Sequence, residues 1–84
     1  MNEKALVEIF LPASNKSYDV YVPLSCKMGE ILLLVSKVIN DLSDGNYRAT
    51  GESVLCDRKS GLIFNINLSA VESGIKNGSH LMLI

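Results

Sequence analysis

Apolar and polar residues alternate almost from the start of the chain. Ala5, Val7, Ile9 and Leu11 share one side of an extended segment, with Leu6, Glu8 and Phe10 on the other. Pro12-Ala13-Ser14-Asn15-Lys16 then gathers turn formers, and a second run sets Tyr18, Val20 and Val22 against Asp19 and Tyr21 until Pro23 closes it. Together the two runs predict an N-terminal β-hairpin. Beyond Pro23 the period changes: Met28, Ile31, Leu34, Val35, Val38 and Leu42 recur in steps of three and four, which predicts one helix over 28–42. At 100° per residue its apolar stripe centres on Ile31, Val35, Val38 and Leu42. Leu32, Leu34 and Ile39 lie at the margins, and Leu33 points away. Asp41 to Asn46 supplies the stop, with Gly45 suited to a left-handed position.

The second half is less regular. Ser53-Val54-Leu55-Cys56 predicts a short strand, Arg58-Lys59-Ser60-Gly61 a tight turn, and Leu62-Ile63-Phe64 a short partner strand. Leu68 to Gly74 reads as one helical turn capped by glycine, and Asn77-Gly78 as a turn into a last strand over 79–84. A helix-bearing connection between the hairpin and the later strands is long enough for a crossover, so the first and last strands can lie parallel. The expected fold is α+β, a β-grasp: a mixed sheet of four to five strands with one main helix across one face, as a single domain over residues 1–84.

Composition narrows what such a domain does. Its 84 residues are 48% hydrophobic and 20% charged, which excludes a disordered tail, and only 6% are aromatic, so the core must come from Leu, Ile and Val. Eight basic and nine acidic residues nearly cancel, and Arg58-Lys59 is the one basic pair. Nucleic-acid binding and a polybasic membrane anchor both need clustered positive charge, so neither is expected. The longest apolar run, Ile31 to Val35, is far short of a membrane span, and the N-terminus carries no secretory leader pattern; a cytoplasmic protein without membrane insertion is expected. Cys26 and Cys56 fit no metal or redox spacing and read as reduced, partly buried residues.

The stretch Leu68 to Ile84 contains Gly74-Ile75-Lys76-Asn77-Gly78-Ser79-His80-Leu81-Met82-Leu83. It resembles the ubiquitin-like pattern in which Leu68 and Ile75 plug the core, Gly78 permits the turn, and Leu81 and Leu83 point inward. With Tyr18-Asp19-Val20-Tyr21-Val22-Pro23 ahead of an apolar helix, the chain resembles the YukD/EsaB family of small bacterial ubiquitin-like proteins. That resemblance implies a cytoplasmic accessory protein, or a domain attached to the machinery, of a type VII secretion system. The residues Leu81-Met82-Leu83-Ile84 are needed as a strand and no Gly-Gly tail follows them, so conjugation and sulfur transfer are not expected.

No catalytic, cofactor or metal site is expected either. His80 is the single histidine, at a turn-proximal position, and the carboxylates are spread without ligand-like spacing. No glycine pattern indicates a nucleotide. The candidate chemistry is therefore apolar contact. If the inner residues of the strands face the helix, Leu6, Phe10, Tyr21, Met82 and Ile84 share the opposite face of the sheet, and Leu33 stands on the outer side of the helix. These six residues are the candidate docking positions for a protein partner, a secretion component or a second copy in a homodimer. The alternative is a carrier or thiol-dependent protein using Cys26 or Cys56, which requires an exposed thiol activated by Lys27 or Arg58.

Overall fold

The computed structural model describes residues 3–43 and 53–84. Strands β1 (Lys4–Leu11) and β2 (Lys16–Pro23) form the expected antiparallel hairpin, in register from Lys4 opposite Pro23 to Leu11 opposite Lys16. The turn between them closes with the Ser14 N–H donating to the Leu11 carbonyl, and Asn15 takes φ 54°. Asparagine tolerates that left-handed conformation better than a branched residue does. Helix α1 (Met28–Leu42) leads to β3 (Leu55–Asp57) and β4 (His80–Leu83). The sheet order is β2-β1-β4-β3, with β1 and β4 parallel and β3 antiparallel to β4. This is the α+β arrangement of four strands in a mixed sheet, with one helix packed across one face.

The inner faces follow the alternation. Ala5, Val7, Ile9, Leu11, Val20, Val22, Leu81 and Leu83 are all buried, and they join Leu55, Ala70, Ile75 and the helix in one core. Placing eight apolar side chains from three strands under one helix is the dominant stabilisation available to so small a chain.

Three expectations are corrected. First, the helix turns a different side inward: its buried residues are Met28, Ile31, Val35, Ser36 and Ile39, while Leu42 is 55% exposed and Val38 half-buried. The buried stripe is rotated by about 50° from the expected one, at 100° per residue. Residues 31–35 are apolar all round, so periodicity alone does not locate the stripe's centre. The sheet does. Second, the partner strand at Leu62-Ile63-Phe64 shrinks to a single bridge, Ile63 opposite Cys56, flanked by two backbone bonds. Leu62 and Ile63 stay exposed, so nothing apolar is gained by lengthening it. Third, Leu68 does not plug the core: it is partly exposed while Ile75 and Ala70 are buried. The single helical turn expected over 68–74 does form, with the Ser73 N–H donating to the Ser69 carbonyl at 3.0 Å and Gly74 ending it at φ 80°. The expected helix stop at Gly45 lies outside the described residues.

Leu68 contributes through its backbone. Its carbonyl accepts the Met28 N–H at 2.7 Å, and the Ile66 carbonyl accepts the Gly29 N–H at 3.0 Å, so two donors that a helix start leaves unpaired are satisfied. Lys27 N–H bonds the Glu30 carboxylate at 3.3 Å, which anchors the same turn. A similar arrangement orders 69–72: Ser69 N–H donates to Glu72 Oε1 and Glu72 N–H to Ser69 Oγ. The Ser-x-x-Glu spacing of a capping box is the sequence signal for it.

Candidate functional site

The outer face of the sheet is built in rows that run across the strands. Pairing puts Tyr21 beside Leu6, Asp19 beside Glu8, and Ser17 beside Phe10; on the other side of β1, Glu8 adjoins His80 and Phe10 adjoins Met82. Cys56 lies opposite Met82, and the Arg58 N–H donates to the His80 carbonyl, carrying the β3–β4 pairing one residue further. One row therefore reads Asp19, Glu8, His80, Arg58, and the next reads Ser17, Phe10, Met82, Cys56.

Three members of the charged row are tied together. Arg58 Nη1 donates to Glu8 Oε1 at 3.0 Å, and His80 Nδ1 lies 3.1 Å from the same oxygen. The Arg58 guanidinium also stacks over Phe10, 4.1 Å from its ring centroid. The flat cation covers an aromatic face that would otherwise meet water, and the carboxylate holds it there. These side chains are 33–44% exposed, so their electrostatic contribution is small, up to ~1 kcal/mol for an ion pair of this kind.

The sequence-derived positions fall into separate places. Leu6 and Tyr21 are exposed on one side of the charged row; Phe10 and Met82 are half-buried on the other. Ile84 is exposed at the far end, bonded through its backbone to Val54, and Leu33 is 73% exposed on the helix. Leu6 and Tyr21 share an open concavity with Lys4, Glu8, Asp19, Asn77 and His80. Its floor is fixed by the Leu6 N–H bonding Asn77 Oδ1 at 2.8 Å and the Gly78 N–H bonding the Leu6 carbonyl at 2.9 Å. Gly78 makes that reach at φ 86°, a conformation that disfavours any side chain. No local pattern signals the charged row itself. Arg58 and His80 stand fifty and seventy-two positions from Glu8, and only strand order joins them.

A second concavity of about 220 Å³ lies between the helix and the 53–66 segment, lined by Met28, Leu32, Leu55, Ile63, Phe64 and Ile66. The cysteines form no disulfide. Burial pushes the Cys56 thiol up from its ordinary value, aided by the neighbouring Asp57 carboxylate, and its Sγ lies 3.6 Å from the Met82 carbonyl. A raised thiol is a poor nucleophile, so the geometry gives a thiol-dependent role for Cys56 no support. No helix among the described residues is long and apolar enough to cross a membrane.

No family model and no curated protein matches the chain. Solved structures do. The chain is similar to the ubiquitin-like domain of the Mycobacterium tuberculosis type VII secretion system protein EccD1, at 20% identity and a TM-score of 0.66, with 98% of each chain covered. It is similar over 96% of its length to part of the MycP5-free ESX-5 inner membrane complex, at 17% identity and a TM-score of 0.71, spanning 20% of that chain. Caldiarchaeum subterraneum ubiquitin matches at 12% identity and a TM-score of 0.73, over 98% of this chain and 92% of the other. Similarity at these identities carries architecture and not activity. The protein has the ubiquitin-like fold.

Proposed function

We propose that this protein is a ubiquitin-like interaction module that acts by surface contact, as a cytoplasmic accessory or regulator beside a type VII secretion system. The observation that carries the contact reading is the outer sheet face. On this face Leu6 and Tyr21, both exposed, and Phe10 and Met82, both half-buried, flank a row of charge. Apolar anchors beside oriented charge are the composition of protein-binding surfaces, and a methionine and a tyrosine adapt readily to a partner. The secretion reading is supported by the YukD/EsaB-like sequence pattern and by the secretion-system domains among the structural neighbours.

Two substitutions and one deletion test it. Phe10→Asp and Met82→Asp should abolish capture of the partner by the tagged protein from native cells, with the far-ultraviolet circular dichroism of the variants unchanged; undiminished capture would refute this face. Deleting the gene in the native host should alter the set of secreted proteins. An unchanged secretome, together with no secretion component captured, would remove the secretion assignment.

A further inference from the structure

We infer that the outer face of the sheet recognises a second copy of this chain, sheet against sheet, through the Asp19–Glu8–His80–Arg58 row. The inference rests on reading that face as an interaction surface and names its partner. The row is ordered by charge: its β2 and β1 positions are acidic, and its β4 and β3 positions carry the histidine and the arginine. Such a row is complementary to itself when turned end for end.

Symmetry fixes how. Two identical faces pair about a two-fold axis, each residue meeting its counterpart reciprocally. An axis parallel to the strands, between β1 and β4, reverses the row, so the Asp19 end of one copy lies over the Arg58 end of the other and Glu8 over His80. In the next row the same axis sets Phe10 over Met82 and Met82 over Phe10. An axis along the row would instead lay each charge on its own copy, and like charges face to face are repulsive. Charge thus selects one of the two in-plane arrangements.

The chain's own contacts leave this pairing open. Among the described residues no cation pairs with Asp19, and Glu8 already holds both Arg58 and His80 on one oxygen. A guanidinium has five N–H donors, so Arg58 can take the second copy's Asp19 while keeping Glu8. The opposing planes are modest: four strands at ~4.8 Å and about five residues at ~3.3 Å span roughly 300 Å². That is below the ~800 Å² per partner of a standard stable interface, so the dimer is a weak one, absent at micromolar concentration and populated near millimolar.

Sedimentation velocity of the full chain across that concentration range tests the inference. The wild type should dimerise, and added salt should weaken the dimer as screening shortens the reach of the row. Asp19→Arg and Arg58→Asp should each weaken self-association about tenfold, because each reversal acts twice across the two-fold axis. An equimolar mixture of the two variants should associate again, since both contacts between positions 19 and 58 then pair a cation on one chain with an anion on the other. A simple loss of local structure would not be rescued by mixing. Wild type that stays monomeric to ~1 mM, single variants that dimerise undiminished, or salt that leaves the dimer unchanged would each overturn the inference. If the wild type is monomeric while Phe10→Asp still abolishes partner capture, the second-copy assignment fails and the contact reading stands.

Discussion

Replacing Ile39 with alanine should cost the fold several times what Leu42→Ala costs, although periodicity places Leu42 at the centre of the stripe and Ile39 at its margin. Both changes remove three carbons from the helix. Ile39 is wholly buried, so at about 0.8 kcal/mol per carbon the transfer loss is about 2.4 kcal/mol. The cavity left under a helix clamped to a sheet adds about 1 kcal/mol, and alanine's better helix propensity returns about 0.4. The net loss is roughly 3 kcal/mol. Leu42 is 55% exposed, which about halves the transfer loss and leaves no closed cavity, for roughly 1 kcal/mol or less. Urea unfolding followed by circular dichroism measures both. With a slope near 1 kcal/mol per molar for a chain of this size, Ile39→Ala should lower the midpoint by about 3 M and Leu42→Ala by about 1 M at most. Equal shifts, or the reverse order, would refute the rotated stripe and with it the helix placement described above.

The acid side of the stability curve should depend on two capped carboxylates. Asp57 is held below the ordinary carboxylate range chiefly by the Ser60 N–H and hydroxyl, and Glu72 by the Ser69 N–H and hydroxyl. Both folded values are depressed, so their contribution is present above the unfolded values near pH 4 and is lost as pH falls through the folded ones. Asp57→Asn should therefore reduce the difference in urea midpoint between pH 7 and pH 3; an unchanged difference would show that the Ser60 bonds do not favour the ionised form. Cys56, buried and with its thiol raised, should resist iodoacetamide in the folded protein and react once the chain is unfolded in urea. Labelling of folded Cys56 at the unfolded rate would restore the thiol-dependent reading.

Much of this architecture is written in local patterns. The alternation in Ala5–Leu11 and Tyr18–Val22 sets two strands and their inner faces, because successive side chains on a strand must point to opposite sides. The helix is visible in the pattern from Met28 to Leu42, and so is Leu33 as its most exposed leucine, since three- and four-residue steps leave one side without core contacts. Leu81 and Leu83 are legible as inward positions for the same reason as the first strand.

What the pattern leaves undecided is what depends on neighbours distant in sequence. Ile39 rather than Leu42 is buried because the sheet, not the helix's own period, chooses which part of a broad apolar stripe it covers. Leu62-Ile63 has a strand's composition but gains no burial, so one bridge is all that forms. The candidate surface divides the same way. The sequence alone placed Leu6, Phe10, Tyr21 and Met82 on one face, since alternation is a local rule. Only the β2-β1-β4-β3 order put Asp19, Glu8, His80 and Arg58 in line and laid the guanidinium over Phe10, because charge and aromatic stacking act through space between groups the chain keeps up to seventy-two residues apart.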